Sequence, residues 1–96
     1  MSNRYQINLE AKEDLRLIYS YGFHKWGEQQ ADSYFNQFFE CFSDISLNPK
    51  QFPKVDDIRK GYRRCVCGVD SIYFIINNDT IEIMRILGSQ DIKETF

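Results

Sequence analysis

The side chains best suited to chemistry in this 96-residue sequence are arginines, because they could face a phosphate. Arg63 and Arg85 each lie in a segment typical of a β-strand, so they could place two cations on one scissile phosphate. Phosphodiester cleavage also needs a general base and a general acid. The only histidine, His24, is remote in sequence from both arginines, and Asp56-Asp57 reads as a solvated carboxylate pair in a loop. The sequence therefore supplies cations more readily than proton-transfer groups.

Positive charge is concentrated in residues 50–64, here called the basic segment. It holds six basic and two acidic groups, a net +4, whereas residues 1–49 and 65–96 each carry −3. The basic segment could bind phosphates or an acidic protein segment, or it could be a solvated loop. Independent, tight nucleic-acid binding is not expected of a chain with net charge −2, since that affinity comes mainly from neutralised phosphates. The six basic residues are Lys50, Lys54, Arg59, Lys60, Arg63 and Arg64.

Two of the three cysteines, Cys65 and Cys67, are spaced like a pair of metal ligands. On a strand they would share a face about 6.5–7 Å apart, too far for an unstrained disulfide. No second Cys/His pair completes a zinc site, so we expect small buried hydrophobic residues. A glycine-rich phosphate loop and a nucleophile motif are also missing from the sequence. We therefore expect no metal, no cofactor and no catalytic residue.

Length and composition indicate one domain over residues 1–96. The sequence is 43% hydrophobic and 16% aromatic, which excludes a disordered chain. No apolar run approaches the ~20 residues of a membrane helix, and no secretory signal pattern is visible. An odd number of cysteines fits a reducing compartment. The expected location is the cytoplasm.

Residues 62–87 read as three consecutive antiparallel strands in the middle of the fold. The run 72–76 is apolar without interruption, as expected of a strand covered on both faces. Turn signals lie on either side of it, at residues 68–71 and 77–79. These turns predict a meander of three strands.

The third of these strands alternates, which predicts the face of each side chain. Ile81, Ile83 and Leu87 are expected on one face and Ile86 on the other. Arg85 falls on the apolar face, so its guanidinium must reach a sheet edge, pair with a carboxylate such as Glu82, or serve a site.

A short first strand is expected over residues 4–8, and Asn8 should cap the helix that follows. Gly27 should close this helix, and a second helix should run over 28–47 until Asn48-Pro49 ends it. The predicted buried stripe of the first helix is Ala11, Leu15, Ile18, Tyr19 and Trp26, with Lys12, Glu13, Asp14 and Arg16 in water. That of the second helix is Ala31, Tyr34, Phe35, Phe38, Phe42 and Ile45.

Residues 50–61 then form a long charged connection, a candidate functional loop that Phe52 and Val55 should pin to the body. The resulting order is β-α-α-β-β-β. A helical hairpin packed on one face of a small, mostly antiparallel sheet buries both apolar stripes, so the expected class is α+β.

This order and several short motifs resemble the ParE branch of the RelE/ParE superfamily, toxins of bacterial type II toxin–antitoxin modules. The first helix carries Ala11-Lys12-Glu13-Asp14-Leu15, similar to the family's A-x-x-D-L. The final third carries Gly61-Tyr62-Arg63 and Arg85-Ile86-Leu87, similar to its G-Y-R and R-I-L segments. Each motif is weak alone, and their order over one small domain is more specific.

The resemblance implies a toxin that inhibits DNA gyrase and is neutralised by a cognate ParD-type antitoxin, rather than an enzyme. Two alternatives stay open: an mRNA endoribonuclease like the sister RelE branch, and an inactive binding protein with the toxin fold. Residues 88–96 lack the Tyr or His that the ribonuclease relatives tend to carry there, and they are candidates for contacting the target. The candidate contacts for target or antitoxin are Arg59, Arg63, Arg64, Arg85, Asp91 and Phe96.

Overall fold

The computed structural model describes residues 4–88 and 95–96, so Asp91 lies outside the described residues. Within these residues, no helix combines the length and the hydropathy of a bilayer-spanning segment. The element order confirms the predicted β-α-α-β-β-β arrangement and the α+β class. The elements are β1 (Arg4–Ile7), α1 (Leu9–Trp26), α2 (Glu28–Leu47), a 3₁₀ turn (Pro49–Gln51), β2 (Arg63–Cys67), β3 (Asp70–Asn77) and β4 (Thr80–Gly88).

The four strands form one sheet in the order β1-β4-β3-β2, with β1 parallel to β4 and the other neighbours antiparallel. The β3–β4 turn is tight because Asn78 adopts a left-handed conformation, with φ of 57°. The β2–β3 turn is shorter than predicted, since β3 already begins at Asp70. This turn uses Gly68, whose φ is 63°.

The predicted helix boundaries are confirmed. The Asn8 side chain accepts a hydrogen bond from the Ala11 amide at 2.8 Å and so caps α1. Gly27, with φ of 94°, joins the two helices, and its amide donates to the Phe23 carbonyl. The chain leaves α2 at Asn48.

The main core lies between the helical hairpin and one face of the sheet. The α2 stripe packs on the sheet as predicted: four of its six members are buried, and Tyr34 and Phe35 are partly buried. Trp26 of the α1 stripe is 58% exposed, so the prediction that it is buried is wrong. Cys65 and Cys67 are buried as predicted. The buried residues of this helix-side cluster are Ala11, Leu15, Phe38, Phe42, Ile45, Cys65, Cys67, Ile72, Phe74, Ile81, Ile83 and Ile86.

A second, smaller cluster covers the opposite face of the sheet. Its buried members are Val55, Tyr62, Tyr73 and Leu87. The Phe96 ring stacks edge-on against Tyr62 and Tyr73, with centroid separations of 5.7 and 5.3 Å. The connection after α2 therefore closes the far face of the sheet, which gives β3 the two-sided burial that its sequence predicts.

A β-bulge in β4 overturns the predicted faces of its last residues. Tyr73 pairs with Arg85 and the next residue, Phe74, pairs with Ile83, so Met84 is an extra residue on β4. The alternation restarts after the bulge. Ile86 consequently joins the helix-side cluster and Leu87 the far-side cluster, the reverse of the expected assignment.

Arg85 lies next to this bulge and pairs with a carboxylate, one of the three options expected for it. Its Nε and Nη2 donate to the two oxygens of Asp14 at 2.8 and 3.1 Å, and Nη1 donates to Glu10 at 3.2 Å. Asp14 also accepts from the Ile86 amide at 2.9 Å. Asp14 was expected in water but is only 8% exposed, because the edge of β4 beyond the end of β1 requires an acceptor.

We expect Asp14→Ala to destabilise the fold by about 2–4 kcal/mol, because it removes the buried carboxylate that accepts from Arg85 Nε and Nη2 and from a strand amide. Urea denaturation measures the loss. The matched control is Glu13→Ala, which removes an ion pair with Arg16 that is more than half exposed and should change stability little. Equal effects of the two substitutions would contradict a special role for Asp14.

Candidate functional site

A concave surface lies at the end of the helical hairpin where Gly27 joins the two helices, beside the β2–β3 turn. We call it the hairpin groove. It has a volume of about 520 Å³ and a mainly apolar lining. Its walls are Leu17, Ile18, Tyr19, Tyr21, Gly22, Trp26, Gln30, Ala31, Tyr34, Phe35, Val69 and Asp70.

Several apolar residues at the groove are unusually exposed for their type. Leu17 is 52% exposed, Tyr21 60% and Val69 85%. The Tyr21 and Trp26 rings meet edge-on with centroids 5.9 Å apart, and the Lys25 ammonium lies 4.9 Å from the Trp26 ring. A contiguous aromatic and aliphatic surface of this kind is typical of a site where another protein binds.

Hydrogen bonds fix the wall formed by Tyr34. Its hydroxyl can donate to Asp70 Oδ2 at 2.9 Å or the Cys67 carbonyl at 3.1 Å, and it accepts from the Val69 amide at 3.2 Å. Burial, followed by the hydrogen bond to Asp70, raises the pKa of Tyr34. The pKa of Tyr19 is raised by its 2.6 Å hydrogen bond to Asp32. Both hydroxyls therefore stay protonated near neutral pH and act as hydrogen-bond donors in the groove.

The structure does not bring Arg63 and Arg85 together on one phosphate site. Their register partners, Phe74 and Tyr73, are consecutive residues of β3 and so point to opposite faces of the sheet. The Arg63 guanidinium donates to the Phe52 carbonyl at 2.7 Å. Arg85 is held by Asp14. These contacts give both arginines a structural role.

Other predicted contact residues lie around the basic segment. The Arg59 side chain is exposed, and its guanidinium lies 5.1 Å from the Phe96 ring and 5.9 Å from the Tyr62 ring. Arg64 is half-buried and pairs in register with Tyr73, which also pairs with Arg85. Phe96 is part of the far-side cluster rather than a free terminal aromatic residue. Whether these residues contact a target stays a prediction.

Titratable groups that could act in catalysis are scattered. His24 lies on the exposed face of α1, with its Nδ1 atom 2.8 Å from the Ser20 carbonyl oxygen. Asp56 lies in the connection between α2 and β2 and accepts a hydrogen bond from the Gly61 amide at 2.8 Å. Across residues 4–88 and 95–96, no group of three or more His, Cys, Asp or Glu residues could hold a metal ion.

Sequence reasoning placed six of the twelve lining residues in buried helix stripes and did not predict the groove as a site. Leu17 and Tyr21 lie outside the predicted buried stripe of α1, and Val69 lies in a turn. An apolar residue outside the stripe, where a polar residue would suit water better, is the signal that marks them.

Comparison with known proteins decides the family. Residues 5–92 match the family model described as the ParE toxin of the type II toxin–antitoxin system parDE. The chain belongs to the ParE toxin family. Two relatives named Toxin ParE1 support this: one from Mycobacterium tuberculosis is 28% identical over 91% of this chain and 90% of its own length, and one from Caulobacter vibrioides is 30% identical over 86% and 85%.

Solved structures of the same superfamily share this fold. A structure titled as the chromosomal ParDE toxin–antitoxin system of P. aeruginosa superposes with a TM-score of 0.80 at 19% identity. The match covers 91% of this chain and 96% of that chain. This ParE-type toxin therefore has the RelE/ParE fold: two helices packed on a four-stranded mixed sheet.

The contact between Gly68 and Tyr34 can be tested with two glycine substitutions. A Cβ at Gly68 would lie 2.5 Å from the Tyr34 ring, whereas a Cβ at Gly61 meets nothing within 4 Å, and both residues have positive φ. We expect Gly61→Ala to cost about 1 kcal/mol for backbone strain alone. Gly68→Ala should cost about 1–3 kcal/mol more, because the Tyr34 wall must move. Chemical denaturation measures both, and equal costs would contradict a rigid groove wall.

Proposed function

We propose that this ParE-type toxin acts in the cytoplasm as a binding protein, that its target is DNA gyrase, and that a cognate ParD-type antitoxin neutralises it. Family membership supports the toxin role. The observation that carries the binding role is the hairpin groove, an exposed apolar surface with no complementary element in the described chain. A ParD-type antitoxin is the natural occupant, since the similar P. aeruginosa structure is titled as a ParDE system.

An amphipathic segment would suit the groove. Its apolar side chains would cover Leu17 and Trp26, whose exposure leaves apolar surface in water. A carboxylate on the same segment could face the Lys25 ammonium, which is already held against Tyr21 and Trp26. The segment would thus combine apolar anchors with one charge at the rim.

The hydrogen bonds of Arg63 and Arg85 favour inhibition by binding over RNA cleavage. Cleavage requires cations and proton-transfer groups that converge on one phosphate. In the described residues Arg63 bonds to a main-chain carbonyl and Arg85 to two carboxylates, on separate parts of the sheet. The basic segment instead offers exposed cations, among them Arg59, on a surface that could meet an acidic region of a protein target.

Two parallel assays separate the mechanisms. Purified toxin is added to DNA gyrase with relaxed plasmid, and to a translation extract with labelled message. We expect loss of supercoiling or accumulation of cleaved plasmid, with the message intact. Cleaved message with normal supercoiling would establish the ribonuclease alternative, and no effect in either assay would favour an inactive binding protein.

Antitoxin docking in the hairpin groove is tested by Leu17→Glu. The side chain is half exposed, so the fold should tolerate the change, while a charge facing an apolar partner should weaken antitoxin binding at least about tenfold. The matched control is Leu47→Glu, on α2 at a position that is 65% exposed and outside the groove lining. Calorimetric titration gives both affinities. If the two variants lost affinity equally, or neither did, the groove would not be the docking site.

Target contact by the basic segment is tested by Arg59→Glu and Arg64→Glu. Each should raise the toxin concentration needed to inhibit gyrase by about tenfold or more, because charge complementarity with the target is reversed. Lys12→Glu, on the exposed side of α1, makes the same charge change elsewhere and should have little effect. Deletion of residues 88–96 is a poorer test, since it also removes the Phe96 ring from the far-side cluster.

A further inference from the structure

Two cysteine thiols from different elements meet at the contact between α2 and β2. Cys41 Sγ and Cys67 Sγ lie 2.8 Å apart. Cys67 is the last residue of β2 and is only 1% exposed, whereas Cys41 is half-buried on α2. The separation exceeds the ~2.05 Å of an S–S bond by less than 1 Å, so a small side-chain adjustment would join the two sulfur atoms.

We propose that Cys41 and Cys67 are an oxidation site that forms an intrachain disulfide when the toxin meets a low-molecular-weight disulfide. The third thiol, Cys65, also interacts with Cys41. The direct 2.8 Å contact between the Cys41 and Cys67 sulfur atoms makes Cys67 the partner in this proposal. The bond ties α2 covalently to the start of the β2–β3 turn, which forms part of the hairpin groove.

The chemistry is two successive thiol–disulfide exchanges. Cys41 loses its proton, and its thiolate attacks one sulfur of the external disulfide RSSR to give a mixed disulfide and RS⁻. The Cys67 thiolate then attacks the Cys41 sulfur and expels the second RS⁻. The two protons lost by the protein convert both leaving groups to RSH, so two protein thiols are oxidised and one RSSR is reduced.

The environment determines the order of the steps and their pH dependence. The partly exposed Cys41 is the point of entry for the reagent, because Cys67 is covered by the core. Burial, followed by the hydrogen bond with Cys41, raises the pKa of Cys67. Its thiolate is therefore scarce at neutral pH, so ring closure should accelerate as the pH rises from 7 to 9.

The full-length toxin is incubated with oxidised glutathione at pH 8.5, the remaining thiols are alkylated, and the digested protein is analysed by mass spectrometry. We expect loss of two hydrogen atoms from the intact protein and a peptide pair joined through Cys41 and Cys67. Dithiothreitol should reverse both. The melting temperature of the oxidised protein should be at least about 5 °C above that of the reduced protein, because the bond restricts the unfolded chain.

Serine variants provide the controls. Cys65→Ser should still form the bond, while Cys41→Ser and Cys67→Ser should not. The disulfide-linked peptides of the toxin without substitutions identify the bonded cysteines even if a variant folds poorly. A stable glutathione adduct on Cys41 without ring closure, or a peptide that links Cys41 to Cys65, would overturn the proposal.

Discussion

The contact of Asp14 with Arg85 and the Ile86 amide fixes the helical hairpin on the sheet. The strand β1 is short and pairs with β4 only as far as Ile83. Beyond that point no other strand of the described residues pairs with this edge of β4, which lies next to α1. One buried carboxylate satisfies a strand amide and a guanidinium at that edge. The contact therefore ties the first half of α1 to β4, while the groove lies along the second half of the helix.

The β4 bulge acts with this contact. By inserting Met84, it sends Ile86 to the helix-side cluster and Leu87 to the far-side cluster. Both faces of the sheet are then closed, one by the helices and the other by the segment around Val55 and Tyr62 together with Phe96. These layers leave the hairpin groove and the exposed cations of the basic segment outside, and these are the surfaces on which the proposed partner contacts rest.

The regular elements were predictable because their signals are local. Asn8 as a cap, Gly27 as a helix junction and the β-branched run of β3 each depend on a few neighbouring residues. The buried state of Asp14 was not predictable in this way, since the amide it accepts is 72 residues away. The bulge also escaped prediction. Arg85 interrupts the apolar face expected for β4, but only the pairing with β3 shows that Met84 is an extra residue.

The groove could be predicted only in part for a related reason. The periodicity of apolar residues along a helix predicts which residues the chain buries against itself. It placed Trp26 in the core, although more than half of this side chain is exposed. Leu17 and Val69 fall outside any buried pattern. Apolar surface that a chain leaves in water costs about 25 cal/mol per Å², so a small domain that retains it in one place has surface available for another molecule. Under the proposed binding role, the functional residues are the apolar ones that folding does not use, and a search for converging polar groups, which suits an enzyme, does not find them.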